Sequence, residues 1–147
     1  MTQPVKEITL TLPMQPAMEL AASKIASSIA RLIKLDQNKI DEIKIALIEA
    51  TLNAFEHSKS EDRTVQIKFL TSSEALTIII KDHGSGFDPD KVGEPDIREK
   101  LHDRHKRGWG LKLMTGLMDK VTVHSDETGT TVVMVKQLNG EQGGSDA

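Results

Sequence analysis

The stretch Asp36-Gln-Asn-Lys-Ile40-Asp-Glu-Ile43-Lys-Ile-Ala-Leu47-Ile-Glu49-Ala50-Thr-Leu-Asn53-Ala54-Phe-Glu-His57 decides the fold. Ile40, Ile43, Leu47, Ala50 and Ala54 recur at alternating intervals of three and four. That spacing puts them on one face of an α-helix and is hard to lay on a strand. Asp36 stands where an N-cap belongs, so the helix is expected to run from there to about His57.

Working outward, residues 5–12, Val-Lys-Glu-Ile-Thr-Leu-Thr-Leu, alternate as a β-strand does, and Pro13 stops them. A first helix is expected from about Pro16 to Lys34. It is rich in small residues (Ala17, Ala21, Ala22, Ala26, Ala30), with Ile25, Ile29, Leu32 and Ile33 as its apolar stripe. Downstream, strands are expected near Thr64–Leu70 and Ala75–Lys81, on either side of the turn-like Thr71-Ser72-Ser73-Glu74. A polar stretch from Asp82 to Arg107 carries five glycine and proline breakers, as a functional lid or a disordered loop would. A third helix, about Gly110–Met118, leads into strands near Lys120–Ser125 and Thr130–Gln137. Residues Asn139–Ala147 read as a frayed tail. No internal repeat is visible. The order predicts one α+β domain over residues 1–138: a two-layer α/β sandwich, its mixed, mainly antiparallel sheet covered by helices on one face.

Composition narrows the function classes. The chain has 147 residues, 37% hydrophobic and 28% charged, which suits one soluble globular domain. A formal net charge of -3 and a pI near 5.9 argue against a general nucleic-acid binder. No run approaches the ~18 apolar residues of a membrane span, and no charged-then-apolar leader opens the chain. The absence of cysteine removes disulfides and thiolate metal sites and is compatible with a reducing cytoplasm, the expected location.

Three short boxes could carry chemistry. In Glu49-Ala-Thr-Leu-Asn53, a spacing of four puts Glu49, Asn53 and His57 on one stripe of the decisive helix, beside its core face. An Asn carbonyl is a hard neutral oxygen suited to Mg²⁺, and a carboxylate one turn back could take a proton from an attacking hydroxyl. An isolated E-x-x-x-N is more often a solvated helix face. In Asp82-His83-Gly84-Ser85-Gly86, an Asp at a strand end offers acceptors to an adenine amino group. Gly84 and Gly86 allow a base or phosphate to lie against the backbone, although a tight turn needs nothing more. In Arg107-Gly108-Trp109-Gly110-Leu111, glycines before a helix expose backbone N–H groups to an anion, and Arg107 could add a guanidinium. Thr130, after Gly129, could lie beside Asp82 if their strands are neighbours. Neither the Walker nor the dinucleotide glycine motif is present. Each box alone is weak; all of them in this order are far less common.

In that order the boxes resemble the Bergerat ATPase superfamily of gyrase, the heat-shock chaperone, histidine kinases and the mismatch-repair ATPase. Glu49 and Asn53 match its N box, Asp82, Gly84 and Gly86 its first glycine box, and Gly108 and Gly110 its second. Within it, Glu49-Ala-Thr-Leu-Asn53-Ala-Phe-Glu-His57, Asp82-His-Gly-Ser-Gly-Phe-Asp-Pro89, Arg107-Gly-Trp-Gly-Leu111 and Gly129-Thr-Thr-Val132 look like the anti-sigma factor serine kinases of bacterial partner switching. The likeness spans about residues 5–137.

The resemblance implies ATP and Mg²⁺ as cofactors, with Asn53 on the metal and Glu49 as general base. Asp82 would take the adenine amine, assisted by Thr130 through water. Gly84, Gly86, Gly108, Trp109, Gly110 and Leu111 would wrap the nucleotide, and Arg107 would meet the terminal phosphates. A lid from about Pro89 to Lys106 would close over them. The substrate would be a serine on a small anti-anti-sigma (STAS-type) protein; a sigma factor would be a second partner, and a homodimer the common assembly. Two other classes compete: a nucleotide-dependent binding module without turnover, and a detached histidine-kinase catalytic domain. His57, at a helix C-terminus, reads as structural. Met114, Leu117 and Met118 read as core, and the remaining histidines show no metal-ligand spacing.

Overall fold

The computed structural model describes residues 6–58, 61–83 and 111–138. Strand β1 (Lys6–Pro13) is followed by helices α1 (Met18–Leu32) and α2 (Gln37–His57), then by β2 (Thr64–Thr71) and β3 (Ala75–Asp82). A short helix, α3 (111–117), precedes β4 (Lys120–Asp126) and β5 (Gly129–Gln137). The strands form one sheet in the order β1-β2-β3-β5-β4, and all four pairings are antiparallel. The sheet expected to be mixed therefore has no parallel pair among the described residues. Its connections explain three of the four pairings. β2–β3 and β4–β5 are hairpins, and the α1–α2 pair leaves the end of β1 and returns to it. Pro13 thus pairs with Thr64, and β2 must run back along β1.

α2 starts where the sequence says it should. Asp36 Oδ1 accepts the Lys39 backbone N–H at 2.9 Å, satisfying one of the donors a helix start leaves open. Leu35 and Ile40, on either side of the cap, are both buried, the spacing of a hydrophobic staple. α1 departs from expectation at one residue. Ala22, Ala26 and Ala30 are fully buried, and with Ile29 they form the contact face. Leu32 stands about 200° around the helix from Ala30 and is 80% exposed, so it does not belong to the apolar stripe. The face is chosen by how closely the backbone can approach its neighbours, which favours alanine over leucine.

The inner strands bury alternate residues: Val65, Ile67 and Phe69 of β2, Leu76, Ile78 and Ile80 of β3, and Met134 of β5. Ile43 and Leu47 of α2 and Met114 of α3 belong to the same core. Each such side chain contributes roughly 1.5–3 kcal/mol by leaving water. β3 continues one residue beyond the expected Lys81, so Asp82 is its last paired residue, opposite Val65. Among the described residues no helix is long and apolar enough to cross a membrane. The expected lid (89–107) and tail (139–147) lie outside the described residues.

Candidate functional site

Where α2 ends, the layers part. Ala50, Asn53, Ala54 and His57 of α2 face Ile80 and Asp82 of β3 across a cavity. β4 adds Val123 and Ser125, β5 adds Thr130 and Val132, and α3 adds Leu111 and Met114. Counted together with the open solvent at its mouth, the space measures ≈ 590 Å³. Its walls are mostly apolar, with Asn53, His57, Asp82, Ser125 and Thr130 as the polar groups.

Asp82 is the buried polar group of this cavity, 4% exposed. The Thr130 backbone N–H of β5 points to Asp82 Oδ1 at 3.4 Å, a long contact. β5 can come this close because residue 129 is glycine. Gly129 has φ +132, and a Cβ there would stand 2.1 Å from the Asp82 carbonyl oxygen. Thr130 is thus beside Asp82, as neighbouring strands would have it, and its hydroxyl lies 2.9 Å from Ser125 Oγ. The hairpin behind this pair is tied by Asp126, whose Oδ1 accepts the Thr128 hydroxyl at 2.6 Å and the Thr128 N–H at 2.8 Å. Those bonds, with His124 alongside, hold the Asp126 carboxyl down at about 2.

Of the residues singled out in the sequence, Asn53, Asp82, Leu111 and Thr130 therefore meet at one cavity. Glu49 is half-buried one helical turn before Asn53 and is not among the residues lining the cavity. Gly84, Gly86, Arg107, Gly108, Trp109 and Gly110 lie outside the described residues. Two polar cavity residues, His57 and Ser125, were not among the expected site residues. His57 is the last residue of α2, as its structural reading required, but it also forms part of the wall. Its spacing of four from Asn53 was the available signal. Ser125 follows Val121 and Val123 at a period of two, which only a known sheet face turns into a cavity position.

The donor set can be tested against Mg²⁺. Among the described residues no group of three or more His, Cys, Asp or Glu side chains could hold a metal ion by itself. Asn53 is the one amide oxygen that α2 brings to the cavity. That fits Mg²⁺, which takes one or two protein oxygens and completes its octahedron with waters and phosphate oxygens.

Comparison with known proteins gives the family. The histidine kinase-like ATPase domain family matches residues 12–136, and domains of this family bind ATP. The serine-protein kinase RsbW of Bacillus subtilis is 33% identical over 141 residues, covering 92% of this chain and 88% of that protein. RsbW of Listeria monocytogenes is 32% identical, covering 92% and 90%. The chain belongs to the histidine kinase-like ATPase family and, within it, to the RsbW serine-protein kinases. The solved RsbU and RsbW domains of Rv1364c from Mycobacterium tuberculosis superpose with a TM-score of 0.68 at 17% identity, over 92% of this chain and 32% of that one. A histidine kinase domain from Erythrobacter litoralis reaches 0.51 at 18% identity, over 89% and 64%. These two likenesses concern the fold alone.

Proposed function

We propose that the protein is an ATP-dependent serine kinase that phosphorylates a small anti-anti-sigma protein of STAS type and holds a sigma factor once that protein is phosphorylated. The observation that carries this reading is the meeting of Asn53, Asp82 and Thr130 at one cavity between α2 and the ends of β3 and β5. Asp82 is suited to accept from the adenine amine, and the aliphatic walls to sandwich the ring. Asn53 would hold Mg²⁺, which neutralises phosphate charge when bound. Gly84, Gly86, Gly108 and Gly110 would let the backbone follow the nucleotide, with Trp109 packed beside them and Arg107 on the terminal phosphates.

Glu49 is the base in this scheme. As the substrate serine oxygen bonds to the γ-phosphorus, the bond to the β,γ-bridging oxygen breaks, ADP leaves, and the serine proton passes to the Glu49 carboxylate. Most of the catalysis is positioning, because a loose transition state needs little covalent help. We read residues 1–138 as one kinase domain, working in the cytoplasm as a homodimer.

The decisive experiment pairs two variants in the presence of Mg-ATP and a purified STAS-type protein. Asn53→Ala should abolish Mg-dependent ATP binding. Glu49→Ala should bind ATP within about threefold of wild type, while transfer falls by roughly 10²–10⁴. Equal loss of binding in both would overturn this division of roles. ATP binding without any labelled serine would make the chain a binding module, and acid-labile label would make it a histidine kinase.

A further inference from the structure

The end of α3 away from the cavity meets a second, polar cleft, lined by Asp36, Lys39 and Glu42 at the start of α2, by Asp119, and by Lys136 of β5. Lys136 occupies a position where strand alternation calls for an apolar residue: it faces the helices, pairs with Leu76, and is 4% exposed. Its ammonium donates to Glu42 Oε1 at 2.7 Å and to the carbonyl oxygen of Leu117, the last residue of α3. A buried ammonium is costly unless it is paired and hydrogen-bonded. A last-turn carbonyl is one that the helix itself leaves open, and a cation there is favoured. The residues just beyond are tied as well. The Asp119 N–H donates to Val135 O at 2.9 Å, and Asp119 Oδ2 accepts the Gln137 N–H at 2.7 Å.

In the other direction, the described part of α3 enters the cavity wall through Leu111 and Met114. It comprises seven helical residues, a length of about 10 Å. A rod this short passes a displacement at one end to the other. We propose that Lys136, with Glu42, is a positioning residue for the nucleotide cavity: the clasp on Leu117 sets where α3 stands, and so how tightly the cavity grips its ligand. The proposal rests on the nucleotide reading above and extends it to residues that do not touch the cavity.

The test uses the full chain and two measurements. Lys136→Met keeps the unbranched stem and removes the ammonium; Glu42→Gln keeps an acceptor; Ile29→Val loosens the core at α1, away from α3. A fluorescent ATP analogue should bind about tenfold more weakly to Lys136→Met, within about threefold of wild type to Glu42→Gln, and unchanged to Ile29→Val. In the ligand-free protein, amide exchange across residues 111–118 should quicken about tenfold in Lys136→Met, with α1 unaffected. Should that variant not fold, Glu42→Ala, on a half-exposed side chain, should show the same two changes at about threefold. Wild-type affinity in folded Lys136→Met overturns the proposal, as does an equal loss in Ile29→Val. If wild type itself takes no ATP analogue, the nucleotide reading fails, and the exchange data alone decide the clasp: unaltered exchange in Lys136→Met overturns it.

Discussion

The two halves of α2 lie over the same sheet and share one apolar spacing, yet one half is packed solid and the other roofs a cavity. In the first half, Ile40, Ile43 and Leu47 are at most 2% exposed. In the second half the same stripe continues as Ala50 and Ala54, and both line the cavity. The helix continues to His57 while the side chains on its core face become smaller. A binding site of this kind is made by withholding volume from a regular interface, and the polar residues Asn53 and His57 then border the space so left.

The contrast can be broken from either side. The largest effect on stability is expected in the packed half: Leu47→Ala should destabilise the fold by about 2–5 kcal/mol, measured by urea unfolding, because a fully buried site collapses poorly. Affinity of the remaining folded protein for nucleotide should change little. At the open half, Gly129→Ala should cost roughly 1–3 kcal/mol from strain at positive φ and should also cut nucleotide affinity sharply. The added Cβ must push β5 off the Asp82 carbonyl, and with it Thr130. Titration of an ATP analogue alongside unfolding would separate the two losses.

Smaller in stability, yet the sharpest test of the comparison, is Ala54→Leu. Filling the cavity should move stability by no more than about 1–3 kcal/mol, while nucleotide binding disappears. Binding at wild-type strength would mean that the ligand sits elsewhere. The smallest effect concerns the hairpin behind Thr130. The folded pKa of Asp126 lies below its ordinary value of 3.8, at about 2, so protonation favours the unfolded chain. Its contribution should be complete above pH 4, shrink as pH falls towards 2, and be missing at every pH in Asp126→Ala. Thermal melts of both proteins across that range would check the sign.

Much of this was legible before any coordinates. Asp36 announced the start of α2, the intervals of three and four announced its buried face, and the order of elements announced a sheet covered on one side. The element order came through with ends one or two residues off, as at Asp82, which completes β3 where the sequence suggested the turn after it. Of the five candidate site residues within the described regions, Asn53, Asp82, Leu111 and Thr130 line one cavity and Glu49 does not. Leu32 misled because leucine is a good stripe residue in isolation, while the actual contact face is selected by close approach at Ala22, Ala26 and Ala30. Lys136 was invisible because strand periodicity gives no reason to bury a lysine.

Local periodicity, capping and turn chemistry act over a few residues, so the sequence alone determines which segments are helix or strand and which way each faces. Which strand ends adjoin is another matter: that Thr130 stands against Asp82, that His57 looks into the same space as Ser125, and that Lys136 reaches the end of α3 depend on contacts between segments tens of residues apart. Those relations are decided only when the layers pack, because burial belongs to the neighbours a residue acquires and not to the residue itself.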